Sequence, residues 1–446
     1  MVLSSPSMRS KLSMRSKLGM RGKLSMRGKL SIRSKLSMLS ALSIRGELSL
    51  SGWGVSMKPV LMKVEEEKQN TYGTESRVKK PRMKPRKQKK SSKPLICLEI
   101  GSHTLKIVEG QYKNNRVIIK KMCSMQINDQ AIQNGKLIQK DSIGAGILNL
   151  LREARVQGKD IVCTMESSEV IRREMLIPCV DEDDIMGLLT YEIGQHLSIN
   201  PESYIIQYKV PGGEAAGDGR QIRYIVYAMP RNLAAEYLDM IRGLHLKPYA
   251  MDTNTNALEK LLSLKSTVEF DYKRIVLIDM GHSHFHISFF RSGDCLFSKK
   301  LDIGGRLLNE VLLTNVEVGE REAEKLKIYN MSRISVLSLC AAYGSDAELT
   351  DSDDGSEVVL KGFTETIERW ADEIGQVLKY IFRENGDIDT IYLYGGCSNI
   401  CEIDRYFQER FHITTKCIRD INSITGKIDK EQISTYLNAI CALIRN

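Results

Sequence analysis

The chain contains the same succession of short strands twice, about 180 residues apart. The first copy starts at residues 95–101 with LICLEIG, and the second starts at residues 275–281 with IVLIDMG. Each opening strand is an apolar run that ends in an acidic residue, one further residue and a glycine. Two more apolar strands follow it after short turns. Two β-meanders of one design, with helical segments between them, predict an α/β protein.

The segments outside the meanders have mostly helical periodicity. Apolar spacing predicts helices over 142–156, 232–244, about 364–383 and 433–444, and a closing strand over 390–394 that leads into Gly395-Gly396. Residues 168–228 differ from this pattern. They contain the strand VIRREMLIP, a helix with an acidic start at residues 181–184, and two strands joined by the turn-rich GGEAAGDG. This block predicts a small β-α-β-β module inserted in a larger domain.

The two meanders and the strand before Gly395-Gly396 resemble, in order and spacing, the actin/Hsp70/sugar-kinase fold. The resemblance implies two lobes, each with a mixed β-sheet and flanking helices, that clasp a nucleotide between them. It identifies the two acid-x-glycine turns as phosphate-binding hairpins, because backbone N–H groups approach phosphate oxygens most closely where no Cβ intervenes. A nearby carboxylate suits Mg²⁺, which proteins usually hold through water with one or two carboxylates.

The resemblance implies a nucleotide site built from three segments and assigns no catalytic residue. Glu99 and Asp279 are expected to hold Mg²⁺ through water. Lys106 would reach a phosphate oxygen as a point charge, and a plain surface lysine is the alternative. His282 and His284 would contact phosphate or be ordinary turn and strand residues. The expected nucleotide-binding residues are Glu99, Gly101, Ser102, Thr104, Lys106, Asp279, Gly281, His282, Gly395, Gly396 and Asn399.

Within this superfamily the chain is similar to the FtsA-related PilM family of type IV pilus assembly proteins. The similarity spans residues 95–446 and includes EIGSHTLKIVEG, VIRREMLIP, YEIGQHLSINPESYIIQYKV and IYLYGGCSNICEIDRYFQERF. The block at residues 168–228 matches the 1C subdomain of this branch, whereas actin has a different insertion elsewhere. FtsA ends in an amphipathic membrane helix, and this chain ends in CALIRN within its final helix, which favours the PilM family.

The resemblance implies a cytoplasmic scaffold that binds ATP or ADP with Mg²⁺ and is recruited to the inner face of the cytoplasmic membrane. It would hold the N-terminal tail of a PilN-like membrane protein beside the 1C subdomain and link it to pilus motor ATPases. Two alternatives stay open, an FtsA-like membrane-associated filament protein and a kinase of the same superfamily. The implied division is a tail over 1–94, a first lobe over 95–264 with the insertion at about 168–228, and a second lobe over 265–446 whose closing helix returns to the first.

Several positions depart from the family pattern. The first acidic residue is Glu99 where the family usually has Asp, and the extra methylene moves the carboxylate by more than about 1 Å. Two residues after Asp252 the family usually has Glu, and this chain has Asn254, which cannot act as a general base. Cys401-Glu402 stands where Pro-Gly is frequent. We therefore expect nucleotide binding with weak or absent hydrolysis, so that the nucleotide acts as a conformational ligand that closes the lobes.

The first 94 residues differ in composition from the rest. They hold 24 Lys and Arg against 5 Glu, while the remainder holds 41 basic and 50 acidic side chains. The basic excess therefore belongs to the tail, and it gives no reason to expect nucleic acid at the globular part. From Ser7 the tail repeats hexads such as SMRSKL. Three interpretations stay open: a basic arm for anionic lipid or nucleic acid, disordered low complexity, or tandem codon repeats ahead of a true start at Met57 or Met62.

The cysteines and the hydropathy pattern bear on the compartment. Ten cysteines are scattered, mostly within apolar stretches, which indicates a reducing environment. No apolar run reaches the roughly 18–20 residues that span a bilayer, and the N-terminus lacks the apolar core of a signal peptide. The globular part is expected to be cytoplasmic.

Overall fold

The computed structural model describes residues 93–445 apart from residues 198, 212–214, 217–220, 265–273 and 345–354. The predictions made for the basic tail up to residue 92 lie outside the described residues. Among the described helices, none is both long enough and apolar enough to cross a membrane.

The described chain contains both strands and helices. The described strands are β1 (Leu95–Ile100), β2 (Thr104–Lys113), β3 (Arg116–Gln126), β4 (Ile132–Gln133), β5 (Lys136–Leu137), β6 (Asp160–Met165), β7 (Ile171–Pro178), β8 (Tyr204–Lys209), β9 (Ala215–Ala216), β10 (Gln221–Pro230), β11 (Lys247–Thr253), β12 (Arg274–Met280), β13 (Phe285–Arg291), β14 (Asp294–Leu301), β15 (Thr390–Tyr394), β16 (Thr415–Cys417) and β17 (Ile424–Gly426). The described helices are α1 (Lys140–Glu153), α2 (Glu182–Leu197), α3 (Arg231–Gly243), α4 (Asn254–Leu262), α5 (Arg306–Asn315), α6 (Glu320–Met331), α7 (Val336–Tyr343), α8 (Gly355–Asn385), α9 (Ile403–Phe411) and α10 (Ile433–Ala442). Short 3₁₀ segments cover Pro201–Ser203, Gly396–Asn399 and Lys430–Gln432.

The first sheet has six strands in the order β11-β6-β1-β2-β3-β17. Every residue of β1 is buried, because alternate side chains enter two different cores. Ile96 and Leu98 pack with helices α1 and α3, whereas Cys97 packs with α4 and α10. In this sheet β1 and β2 form an antiparallel hairpin, and β6 runs parallel to β1. The end of β6 therefore reaches the same edge of the sheet as the turn after β1.

The inserted module forms a separate sheet in the order β7-β10-β8, with β9 paired to β10. Helix α2 packs on it through Ile185, Leu189 and Ile193, which contact a small core that includes Tyr224 and Val226. Acidic residues fill the first turn of α2, where they complement the positive end of the helix dipole. The elements follow the predicted β-α-β-β order.

A third sheet has five strands in the order β14-β13-β12-β15-β16. Helix α8 covers it with Phe363, Ile367, Trp370 and Ile374, all of which are fully buried. β15 runs parallel to β12, so the turn at Gly395 reaches the same edge of this sheet as the turn after β12. The second hairpin and the glycine turn are thereby placed side by side.

Helix α10 lies between the two large sheets. Its Leu437 and Ile440 share one core with Cys97 of the first sheet and Leu277 of the third. Before this helix, β17 pairs in parallel with β3 at the edge of the first sheet. The last segments of the chain therefore tie the two sheets together through a common core.

Two predictions of local structure differ from the structure. Helix α8 begins at Gly355 and not near Thr364. Strand β11 was not predicted, because KPYAMDT mixes polar and apolar residues and contains Pro248. It forms because it pairs in parallel with β6, with a register shift between Pro248 and Ala250 that accommodates the proline. The tertiary context decides this strand, since its own β-propensity is weak.

Candidate functional site

The acidic residues of the two meanders converge on one lysine. Lys106 of β2 donates a hydrogen bond to Glu99 Oε1 at 2.9 Å, and its side chain is only 14% exposed, so it is not a surface lysine. Burial lowers the pKa of Lys106, but the negative charges of Glu99 and Asp279 outweigh this and raise it. A cation of the first hairpin thus lies within electrostatic reach of a carboxylate from each hairpin.

Asp279 is half-buried at the end of β12 and lies among polar partners. Burial raises the pKa of Asp279 to about 6, and the charge of Glu99 adds to this, while Lys106 and hydrogen bonds from Asn438 and Tyr394 oppose it. Asn438 Nδ2 of helix α10 donates to Asp279 Oδ2 at 2.8 Å. Asn438 was not predicted from the sequence, because a single amide in an apolar helix carries no signal for this contact.

The glycine turn after β15 lies directly against the second hairpin. Gly395 has a φ of +91°, a conformation that glycine adopts at low cost. A Cβ at this position would lie 2.5 Å from Asp279 Oδ1 and 2.9 Å from the backbone nitrogen of Met280. The close approach of the turn to the carboxylate therefore requires glycine.

The turns of the two hairpins are closed by backbone hydrogen bonds. The N–H of Gly101 donates to the carbonyl of Thr104 at 3.1 Å and so closes the turn around Ser102. The carbonyl of Gly281 accepts the N–H of Gly305 at 3.1 Å, which joins the second turn to the start of helix α5. These turns lie at the edges where β1 and β12 end.

Asn399 is not brought together with the carboxylates. In the 3₁₀ segment, its Nδ2 donates to the Gly396 carbonyl at 3.4 Å and to Thr435 Oγ1 at 3.2 Å. It lines a polar cleft of about 640 Å³. The lining of this cleft includes neither Glu99 nor Asp279.

A third carboxylate, that of Glu166, lies just after β6, at the edge of the first sheet where β1 also ends. Glu166 was not predicted as a site residue. Burial and the charge of Asp279 raise the pKa of Glu166 to about 7, although backbone N–H groups of Thr255 and Asn254 donate to its carboxylate. These donors belong to the start of helix α4, which explains the position of the carboxylate. The sequence signal that could have revealed Glu166 is an acidic residue directly after the apolar run IVCTM. Because β6 runs parallel to β1, the residue after β6 lies at the same edge of the sheet as the turn after β1.

The residues around Asn254 have structural partners. Asn254 Oδ1 accepts a hydrogen bond from Thr164 Oγ1 at 2.8 Å. Asp252, two residues earlier, binds Lys260 at 2.5 Å and Arg445 at 3.1 Å. Asp252 is therefore part of a buried ion-pair network. The carboxylate next to Asn254 is that of Glu166, which accepts the backbone N–H of Asn254.

Two histidines join the turns of the two hairpins. The rings of His103 and His282 are stacked with centroids 3.7 Å apart and planes 9° apart. Asp129 Oδ1 lies 2.5 Å from His103 Nδ1, and its Oδ2 lies 3.1 Å from His282 Nε2. His284 lies 3.2 Å from Asp302 instead. His103 was not predicted as a site residue, although it stands in the same motif as Gly101.

The carboxylates at the hairpins fit a hydrated divalent cation. Glu99 Oε2 is buried and has no hydrogen-bond partner in the described part of the chain. Burial first, and then the charge of a neighbouring carboxylate, raise the pKa values of Asp279 and Glu166. An all-oxygen donor set suits Mg²⁺. Glu99 and Asp279 are thus chemically suited to hold this ion, which would neutralise phosphate charge.

One protein-family model matches more than half of the chain. The model of the family described as "Type IV pilus assembly protein PilM" matches residues 97–335. That segment includes both hairpins, the inserted module and Glu166.

The structure is similar to a solved structure described as "PilM-PilN type IV pilus biogenesis complex", with a TM-score of 0.63, 17% identity, and coverage of 78% of this chain and 97% of that one. Weaker similarity is found to ethanolamine utilization protein EutJ from Carboxydothermus hydrogenoformans (TM-score 0.43, 10% identity, 78% and 89% coverage). MreB 5 of Spiroplasma citri bound to AMPPNP is similar to the same degree (TM-score 0.43, 10% identity, 79% and 95% coverage). The TM-score of 0.63 to the PilM structure confirms the fold that the resemblance to the PilM family predicted.

Proposed function

The chain belongs to the type IV pilus assembly protein PilM family, and on this premise we propose that it is a nucleotide-binding scaffold of pilus or related secretion machinery. The scaffold binds the N-terminal tail of a PilN-like membrane protein and links it to motor ATPases. It acts at the inner face of the cytoplasmic membrane, where its partner resides. The basic tail over residues 1–94 would add a second contact with anionic lipid.

Nucleotide binding rests on one observation, the position of Lys106 in the fields of both Glu99 and Asp279. We take residues 95–264 and 265–446 as two lobes that close on the nucleotide. The turns at Gly101 and Gly281 would receive the phosphates, and the turn at Gly395 would lie near the adenosine. Glu99 and Asp279 would hold Mg²⁺ through water. The remaining residues proposed to contribute are Ser102, Thr104, His282, Gly396 and Asn399.

Partner binding is supported by the surface of the inserted module. Leu176 of β7 and Tyr191 of α2 are 52% and 62% exposed, and Met186 of α2 is 41% exposed. A contiguous apolar patch at a protein surface is characteristic of a protein contact site, and we propose that these three side chains belong to one. A short peptide with apolar anchors is the ligand class that such a surface takes, and the tail of a PilN-like protein is a peptide of this kind.

The nucleotide proposal is tested by calorimetric titration of Mg-ATP into the full chain. We expect micromolar binding, at least tenfold weaker binding in Lys106→Ala, and unchanged binding in Lys113→Ala, since Lys113 is exposed at the far end of the same strand. Absence of binding in the wild type would leave a partner-binding fold without a nucleotide ligand. Equal affinity in both variants would exclude Lys106 from the site.

A second candidate function, slow nucleotide hydrolysis, is favoured by Glu166. The amide of Asn254 cannot accept a proton, but the carboxylate that accepts its backbone N–H can. Product analysis after incubation with Mg-ATP distinguishes slow hydrolysis from nucleotide binding without hydrolysis. ADP formation that disappears in Glu166→Gln supports hydrolysis, and intact ATP in the wild type supports a purely conformational role for the nucleotide.

A further inference from the structure

The side chains around the stacked histidines form a compact set of possible metal ligands. One atom from each of His103, Asp129 and His282 lies within 4.8 Å of the other two. The residues come from three separate segments: the turn after β1, the segment after β3, and the turn after β12. Imidazole nitrogens and a carboxylate oxygen are the donors that Zn²⁺ and related borderline transition-metal ions prefer, whereas Mg²⁺ prefers oxygen alone.

A second carboxylate occupies the opposite side of both rings. Glu324 Oε2 lies 3.8 Å from His103 Nε2 and 3.7 Å from His282 Nδ1. These are the nitrogens that do not face Asp129. Metal-bound histidines usually donate their other ring N–H to a carboxylate, which fixes the tautomer and the ring orientation. Glu324 stands where both histidines could use it in this way.

Glu324 is itself held in place by two buried partners. Lys327 Nζ lies 2.6 Å from Glu324 Oε2, and Asn309 Nδ2 donates to the same oxygen at 2.7 Å. All three side chains are at most 9% exposed. The outer carboxylate is thus held in place between Lys327 and Asn309.

One ring atom in the cluster has no partner. His103 Nε2 is buried and makes no hydrogen bond with any described residue. Two imidazoles bound to one tetrahedral ion present their nitrogens from different directions, so the two rings would leave their present stacked contact when the ion binds.

We propose that His103, His282 and Asp129 form a binding site for one Zn²⁺-class transition-metal ion, with Glu324 as the outer carboxylate that orients both imidazoles. Three protein ligands leave the fourth position to water. The ion ties the turn after β1 to the turn after β12. It therefore links the two large sheets at the point where the hairpins face each other, in addition to the oxygen-rich Mg²⁺ site at Glu99 and Asp279.

Co²⁺ titration of the full chain, freed of metal by chelation and kept reduced, tests this site directly. Co²⁺ bound by nitrogen and oxygen in tetrahedral geometry gives visible ligand-field bands without thiolate charge-transfer bands in the near ultraviolet. We expect one Co²⁺ per chain, displaced by one equivalent of Zn²⁺ and retained in excess Mg²⁺. The absence of thiolate bands separates this site from the ten cysteines.

Matched variants identify the ligands. Affinity should fall most in His103→Asn and His282→Asn, and by about 10- to 100-fold in Glu324→Gln, which retains all three ligands. His196→Asn is the control, because His196 is 71% exposed on helix α2 and pairs with Glu192. Circular dichroism of each metal-free variant establishes that it is folded.

The proposal is overturned if the wild type binds no Co²⁺, if binding persists in both histidine variants, or if thiolate bands accompany it. No binding would mean that the cluster is a direct histidine–aspartate contact between the hairpins. Because these titrations contain no nucleotide, a negative result leaves the nucleotide-binding proposal standing, and failure to bind Mg-ATP would leave the metal site standing.

Discussion

Glu259 of helix α4 accepts the backbone N–H of Cys295 in β14 at 3.0 Å. The same carboxylate accepts hydrogen bonds from Tyr227 at 2.9 Å and Arg172 at 3.2 Å, and it also contacts Lys209. The latter three residues belong to the inserted module. One side chain that is 4% exposed therefore joins this module, the helix after the first sheet, and the third sheet.

Removal of the Glu259 charge should destabilise the whole domain. Glu259→Gln leaves Arg172 and Lys209 without their buried anion, and we expect a loss of about 3 kcal/mol in the free energy of unfolding. Urea denaturation of both proteins measures this difference in the free energy of unfolding. Glu310→Gln is the control, because Glu310 pairs with Arg306 at the surface and should change stability by less than about 0.5 kcal/mol. Equal effects in the two variants would contradict the role given to Glu259.

Adjacent glycines should respond very differently to alanine. Gly395→Ala places a methyl 2.5 Å from Asp279 Oδ1 at a φ of +91°, whereas nothing lies within 4 Å of a Cβ at Gly396. We expect Gly395→Ala to lower the free energy of unfolding by more than about 2 kcal/mol and to weaken Mg-ATP binding. Gly396→Ala should leave stability nearly unchanged. Thermal unfolding and calorimetry of both variants provide the comparison, and similar behaviour would refute the close approach of the turn.

The Asp252 network should give stability a defined pH dependence. Burial raises the pKa of Asp252, but Lys260 and Arg445 outweigh it and hold that pKa below its ordinary value. A lowered acid pKa contributes stability that is present above the unfolded value of about 3.9 and is lost as the pH falls through the folded value.

Asp252→Asn provides the measurement. At pH 7 the free energy of unfolding of this variant should be about 3 kcal/mol lower than that of the wild type, because Lys260 and Arg445 lose their buried anion. Urea titrations at successively lower pH should show the difference shrinking below pH about 4. A difference that stays constant down to pH about 3 would assign the loss to packing and not to charge.

A PilN-like tail peptide should lose affinity when the module surface becomes charged. Leu176→Glu and Tyr191→Glu place a carboxylate on exposed apolar positions, and we expect binding to weaken at least about tenfold if these positions anchor the peptide. Phe382→Glu is the matched control, because Phe382 is 51% exposed on helix α8, outside the module. Fluorescence anisotropy of a labelled peptide measures the affinity. A larger loss of peptide affinity in the control would place the peptide-binding site outside the module.

Much of the fold was visible in local patterns. Strand Thr390–Tyr394 was predicted with the bounds that the structure has, because a threonine and four apolar or aromatic residues lead directly into a glycine pair. The acidic start of helix α2 was also predicted. Strands β16 and β17 were not, since three residues each give no period, and they exist only through pairing with β15 and β3.

The convergence of candidate site residues was predictable where a motif has a fixed backbone geometry: the motif order implies the convergence of Glu99, Lys106, Asp279 and Gly395. The proposed role of Asn399 stays a prediction, and its side chain lines a cleft whose lining includes neither Glu99 nor Asp279. Glu402, which stands where the family frequently has glycine, adopts a φ of +60° that glycine would adopt at lower cost. The sequence showed that glutamate replaces glycine at this position, but it did not show that the backbone there has a positive φ.

The sequence by itself determined the duplicated meanders, the hairpin glycines and the family, because strand periodicity and glycine turns are properties of neighbouring residues. Only the tertiary structure decided that Asn438 would bind Asp279 and that His103 would stack on His282. The partners are 159 residues apart in the first pair and stand in the turns of different sheets in the second. Their contacts arise because parallel pairing brings the ends of β6 and β15 to the hairpin edges and a shared core holds α10 between the sheets. A residue pattern does not encode that arrangement locally.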